Sequence, residues 1–320
     1  MAFNSNGERR PYVFSGSSHP ELAREIAACL GVELSPCRVL RFSNDNLYVQ
    51  LLESVREKEV FIVQTLTYPV HEHLMELLLL LDAARSTSAR KINAIIPYYS
   101  YARSDKKDEP RISIAARLVA DLLVTAGAQH VITMTLHAPQ VHGFFSVPMD
   151  HLSALTTLVE PFQEKDLSDA CVVTPDIGNA KRAIKLARAL GLPMIAGNKE
   201  RVADDRVEFH GLIGTVRASR AIIYDDEIAT AGTMMPVMEA LKQQGVRELY
   251  LACTHGLFTG PAVQRLGSVP EIVEIVSTNT VPVPPEKRLP NMKVLSVAPV
   301  FGEAVRRNVA GESVAPLFAY

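Results

Sequence analysis

What most constrains this chain is an alternation of short apolar runs with longer amphipathic segments. The runs "EVFIVQTL", "NAIIPYY", "HVITMTLH", "ACVVTPD", "RAIIYDD" and "ELYLACTHG" have the composition of buried strands. Between them lie helical patterns with recognisable ends. "PELAREIAACLG" opens on Pro20 and stops at Gly31, with Leu22, Ile26 and Leu30 at i, i+4 spacing. "ISIAARLVADLLVTAG" is amphipathic and stops at Gly127, and "GNAKRAIKLARALG" and "TMMPVMEALKQQG" read the same way. Such alternation specifies an α/β fold of mainly parallel sheets with helices on both faces.

The alternation restarts near residue 155, so two units are expected, 1–154 and 155–301. The segment 302–320 holds a last helix that is expected to return to the first unit. A length of 320 residues fits two domains, at about 100–200 residues each. "VPVPPEKRLP" reads as an exposed loop rather than a linker. The formal net charge is −2, so no global field attracts nucleic acid or an anionic membrane, and any anion site must be local. The four cysteines show no C-x-x-C spacing, which favours a reducing compartment, the cytoplasm. Cys29, Cys171 and Cys253 lie among apolar residues and are expected to be buried. The polar start "MAFNSNGERR" lacks a signal-peptide core, and the run Leu77–Leu81 is far short of a membrane span of about 20 residues.

In open parallel sheets ligands bind beyond the carboxyl ends of the strands, so polar residues directly after strands carry the functional information. Four clusters do this and are expected on one edge: "TLHAPQ", "TPDIGN", "DDEIATAGT" and "THG". In the third, Asp225 and Asp226 precede Ala229, Thr230, Ala231, Gly232 and Thr233, a small-residue turn into a helix. Backbone N–H groups at such a helix start face an anion. The aspartates suit vicinal ribose hydroxyls or a Mg2+ ion; a surface acidic pair beside an N-cap threonine is the plain alternative. His137 and Asp176 each follow a strand, one in each unit, and together could hold Mg2+, although imidazole is an unusual magnesium ligand. The polar stretch Tyr101–Arg111 is either a solvated charge run or a loop that closes over a polyphosphate. Lys199 and Arg201 read as loop residues after a strand, placed to stabilise a transferring phosphoryl group or simply exposed to solvent.

Taken together, "RFSND", "HLMELL", "IPYYSYARSDKK", "LHAPQVHGFF", "VPMDHL", "VVTPDIG", "DDEIATAGT", "THGLFTGPA" and "VLSVAP" occur in order across nearly the whole chain. This series resembles the ribose-phosphate pyrophosphokinases, the synthases of phosphoribosyl pyrophosphate (PRPP). The resemblance implies two phosphoribosyltransferase-like, Rossmann-like domains. It implies transfer of the diphosphoryl group of ATP to the 1-hydroxyl of ribose 5-phosphate, with Mg2+, in a homohexamer built from dimers and controlled by phosphate and ADP. It implies that Ala229–Thr233 hold the sugar 5-phosphate and that Asp225 and Asp226 hold the ribose hydroxyls. His137 and Asp176 would place Mg2+ on the ATP phosphates. Arg103, Ser104, Asp105 and Asp108 would contact ATP, as would Phe42 and Asn44 from a neighbouring subunit, and Lys199 and Arg201 would be the catalytic pair. The chain departs from the family pattern at Thr135 and Ala229, where aspartate is usual, and at Asn179, where glycine is usual. These departures leave two other readings: a non-catalytic partner subunit of an active synthase, and a PRPP-consuming phosphoribosyltransferase.

Overall fold

The computed structural model describes residues 10–203 and 206–318, with the side chains of 199–203 and 206–208 left out. The chain divides into two compact units, Met1–Ser153 with Val297–Tyr320, and Ala154–Ser296.

The first unit opens with β1 (Tyr12–Ser15) and α1 (Pro20–Cys29), then the hairpin β2 (Cys37–Arg41) and β3 (Leu47–Leu51). It continues through β4 (Glu59–Val63), α2 (Val70–Ser86), β5 (Lys91–Ile96), α3 (Ala115–Ala126), β6 (His130–Met134) and β7 (Met149–Leu152). Five strands form a parallel sheet in the order β1-β4-β5-β6-β7, and β2-β3 pair separately and antiparallel. Pro20 starts α1, where its missing N–H costs nothing, and His19 caps it by accepting from Leu22 N. Gly127 ends α3 at φ 129°. The leucine run Leu77–Leu81 lies within α2 and contributes Leu77, Leu80 and Leu81 to the core beside Phe14 and Ile62.

The second unit holds α4 (Leu155–Gln163), β8 (Ala170–Thr174), α5 (Ala180–Leu190), β9 (Met194–Ala203), β10 (Arg206–Ile213), β11 (Arg220–Ile228), α6 (Met234–Gln243), β12 (Glu248–Gly256), α7 (Ala262–Gly267), β13 (Ile272–Thr278) and β14 (Met292–Leu295). Its sheet runs β10-β9-β8-β11-β12-β13-β14, parallel except for the antiparallel β9-β10 pair. The core joins Val173, Ile223 and Leu251 of the strands to Val237 and Leu241 of α6. The last helix, α8 (Ala298–Ala310), belongs to the first unit and packs on α1. Gly302 permits that approach, since a Cβ there would stand 2.7 Å from Cβ of Cys29.

Three expectations need correction. Cys29 is exposed, unlike Cys171 and Cys253, because α1 buries the face of Leu22, Ala23, Ile26 and Ala27 and turns its last residue away. The stretch "GNKERVA" is strand rather than loop: β9 runs on because β10 folds back as its antiparallel neighbour, pairing Lys199 with Phe209 and Arg201 with Val207. The polar clusters do not share one edge; that after β6 lies on the first sheet, while those of β8, β11 and β12 lie on the second. Among the described residues no helix is long and apolar enough to cross a membrane.

Candidate active site

In the second sheet the chain order reverses between β8 and β11: β9 extends one way from β8, and β12 to β14 extend the other way from β11. Beyond such a reversal the connections leave in opposite directions and open a crevice. β11 pairs with β8 only as far as Ile223, opposite Val173, but runs on along β12 to Ile228 opposite Gly256. Asp225 and Asp226 therefore sit on the overhang, where β8 has already turned away into Pro175 and Asp176.

Both carboxylates are buried, at 8% and 3% exposure, so each needs partners. Oδ1 of Asp225 accepts from Nδ2 of Asn179 (3.2 Å) and from the backbone N of Asp226 (2.9 Å). Nη1 of Arg182 lies 3.8 Å from Oδ2 of Asp226. Asp176 caps the turn into α5, its Oδ1 accepting from Asn179 N at 3.0 Å. Burial pushes the Tyr224 phenol above its ordinary range, and likewise the Cys253 thiol, which also lies near Asp225. Those two groups stay neutral, so the anionic character of the β11 end comes from its carboxylates, Asp225 and Asp226 with Glu227 beside them.

The turn Ala229–Thr233 is fixed through its carbonyls. That of Ile228 accepts from Leu257 and Phe258 N, that of Ala229 from Thr259 N (2.9 Å), and that of Thr230 from Nη1 of Arg265 (3.0 Å). Ala231 takes φ 58°, uncommon for a residue with a Cβ, and Met234 N closes onto its carbonyl at 3.1 Å. Gly232 lets Arg265 approach the turn closely: a Cβ would lie 3.3 Å from its Nη1. Thr233 gives α6 no side-chain cap, but Met234 N and Met235 N both donate to the Ala231 carbonyl (3.1 and 3.3 Å) and Pro236 has no N–H, so an anion here would meet the turn itself rather than the first N–H groups of α6.

In the first unit, β6 leaves the sheet through Thr135 at φ 45°, an outlier for a β-branched residue and the kind of strain that gathers at functional turns. The turn is held from behind: Thr135 N donates to the Leu152 carbonyl (3.0 Å), and Leu136 N donates to Nε2 of His151 (2.8 Å). His137 follows, exposed. Arg103 ends a 3-10 turn, Ser100–Arg103, and is exposed with Ser104 and Asp108; Asp105 accepts from Nε2 of Gln140, which ties the two loops together. Phe42 is 52% exposed at the base of the hairpin turn with its ring 5.7 Å from that of Tyr48, and Asn44 Oδ1 accepts from Asn46 N inside the turn. The side chains of Lys199 and Arg201 lie outside the described residues.

The structure thus gathers Asp176, Asp225 and Asp226 at one strand edge and joins Asp105 to the turn that carries Gln140. Residues to which the motif pattern gave no role are Asn179, noted only as a departure from it, and Arg182, His151 and Arg265. Asn179 and Arg182 had a local signal, polar groups on the first turn of a helix that leaves a strand end. His151 and Arg265 had none, since each acts on a backbone group distant in sequence.

The parallel sheets, the reversal between β8 and β11, and the phosphate-type turn before α6 define phosphoribosyltransferase-like units. Residues 12–127 match the family model of the N-terminal domain of ribose phosphate pyrophosphokinase, and residues 209–319 match that of the phosphoribosyl synthetase-associated domain. A Streptomyces coelicolor protein is 56% identical over 306 residues, 96% of each chain. The ribose-phosphate pyrophosphokinase of Deinococcus radiodurans is 49% identical over 98% of this chain and 99% of its own. The crystal structure of phosphoribosylpyrophosphate synthetase from Mycobacterium smegmatis superposes with a TM-score of 0.89 at 37% identity, covering 95% of this chain and all of that one. The chain belongs to the ribose-phosphate pyrophosphokinase family of transferases.

Proposed function

We propose that this protein transfers the β,γ-diphosphoryl group of ATP to the 1-hydroxyl of ribose 5-phosphate, giving PRPP and AMP. The observation that carries the reading is the end of β11: two buried, hydrogen-bonded carboxylates directly before a small-residue turn whose carbonyls are engaged. Carboxylates accept two hydroxyl donors, which suits the ribose 2,3-diol, and the turn Ala229–Thr233 takes the 5-phosphate. With both ends of the sugar held, its 1-hydroxyl oxygen forms a bond to the β-phosphorus of ATP. The bond from that phosphorus to the α,β-bridging oxygen breaks, AMP leaves, and the hydroxyl proton is released. Such a transfer needs positioning and cations more than covalent catalysis. Lys199 and Arg201 are the cations assigned to the transferring group. Arg103, Ser104, Asp105 and Asp108 are assigned to ATP within their subunit, and Phe42 and Asn44 to the ATP of a neighbouring subunit.

Among the described residues no three His, Cys, Asp or Glu side chains form a closed metal cage. Mg2+ needs none; it takes one or two carboxylates and completes its shell with phosphate oxygens and water. Asp176 fits that role at its strand exit, with His137 as the less usual donor. When bound, Mg2+ neutralises phosphate charge. The reading extends to a cytoplasmic homo-oligomer, a homohexamer built from dimers and responding to ADP and phosphate. The exposed Leu40, Phe42, Tyr48 and Leu52 of the hairpin region support association.

Purified protein given ATP, Mg2+, phosphate and ribose 5-phosphate is expected to form AMP and PRPP one for one. No AMP under those conditions overturns the reading in favour of a non-catalytic subunit. Pyrophosphate released from PRPP and a nucleobase would favour a phosphoribosyltransferase.

A further inference from the structure

Asp225 and Asp226 are adjacent anions in a buried strand end, and neighbouring buried carboxylates repel unless donors hold them. A residue that links them to their surroundings is Asn179, itself 5% exposed, at the N-cap of α5. Its backbone N donates to Oδ1 of Asp176 (3.0 Å) and its Nδ2 donates to Oδ1 of Asp225 (3.2 Å). Its Oδ1 accepts from Nη1 of Arg182 (3.2 Å), the same nitrogen that stands 3.8 Å from Asp226. One residue therefore connects the carboxylate after β8 to Asp225 and, through Arg182, to Asp226. The orientation of the carboxamide is dictated by its neighbours: flipped, its oxygen would face a carboxylate and its NH2 a guanidinium.

We propose that Asn179 is a positioning residue for sugar recognition. Its carboxamide fixes the Asp225 rotamer directly and steers Arg182 toward Asp226, so the pair is set before the diol arrives. This rests on the reading of Asp225 and Asp226 as the diol-binding carboxylates. At this position a carboxamide supplies a donor on one arm and an acceptor on the other, where the glycine usual in the family supplies neither. Alanine would remove that donor to Asp225. Aspartate, of the same shape, would replace it with a further anion beside Asp176, Asp225 and Asp226.

The test is calorimetric titration of the full-length protein with ribose 5-phosphate, together with steady-state kinetics, for the wild type, Asn179→Ala and Asn179→Asp. Asn179→Ala is expected to raise the Kd and KM for ribose 5-phosphate about 10-fold, since a bond to a charged group is lost, with kcat and the KM for ATP within about twofold. Asn179→Asp is expected to raise them about 100-fold, and because it keeps the side-chain volume it decides the matter if the alanine variant does not fold. Sugar affinity within twofold of wild type in the folded variants, or equal loss of sugar and ATP affinity, overturns the inference. A wild type that does not bind ribose 5-phosphate overturns the functional reading itself, a result distinguishable from the first.

Discussion

Among the strand exits that turn through the left-handed region on residues other than glycine, one in each unit carries assigned functional groups: Thr135 after β6 at φ 45° and Ala231 after β11 at φ 58°. They hold their functional groups differently. Around β11 the groups precede the turn, lie buried in the strand, and are fixed side chain to side chain by Asn179 and Arg182. Around β6 the group follows the turn, His137 is exposed, and what is fixed is backbone, through His151 and the Leu152 carbonyl. The difference follows from burial. A buried carboxylate must be bonded in the folded protein whether or not a ligand is present, so it is preorganised; an exposed imidazole is under no such requirement.

Breaking the first arrangement has the largest expected effect. Asp225→Asn is expected to raise the KM for ribose 5-phosphate about 100-fold while changing that for ATP only a few-fold, because a charged acceptor is lost from the sugar site alone. Initial rates at varied sugar and fixed ATP measure this, and an unchanged sugar KM would remove the distinction drawn here. The second arrangement should fail in stability first. His151→Leu leaves the buried Leu136 N–H without its acceptor and is expected to cost about 1–3 kcal/mol in urea unfolding. The KM for ATP should rise a few-fold and that for ribose 5-phosphate should not; a rise confined to the sugar would reverse the comparison.

The smallest effect sharpens the contrast between similar bonds. Asp150 on β7 is, like Asp225, a buried carboxylate bonded by an asparagine, here Nδ2 of Asn308 on α8 at 2.9 Å. Burial opposes its ionisation most, but bonds from His130 and Asn308 outweigh burial and hold the carboxyl below its ordinary range. A depressed folded pKa contributes stability above the unfolded value, near 4, and that contribution is lost as pH falls through the folded one. Between pH 6 and pH 3 the wild type is therefore expected to lose more urea stability than Asn308→Ala, by about 1 kcal/mol or less, with both substrate KM values unchanged by the substitution. Parallel pH profiles would show that the Asn308 bond does not contribute.

Much of this was legible because it is local. Pro20 and Gly127 bound their helices as the sequence indicates, and the six quoted apolar runs contain strands whose ends lie within three residues of theirs. The acid pair and small-residue turn of β11 are contiguous, so their proximity is covalent. Cys29 was misplaced because apolar neighbours in sequence do not say which face of α1 is covered. The stretch from Asn198 to Ala203 was misread because its state depends on β10, which lies further along the chain.

By itself the sequence determined the strand–helix alternation, the strand-end placement of Asp176, Asp225 and Asp226, and the small-residue turn that follows, since these need only the periods of backbone structure and the order of residues. Tertiary structure alone decided that β8 and β11 lie side by side with the chain reversing between them. It alone placed Asn179 on Asp225 across 46 positions of sequence and His151 behind Leu136. Those contacts follow from strand order and register, which are set by how whole faces bury their apolar surface together, and no local pattern encodes them.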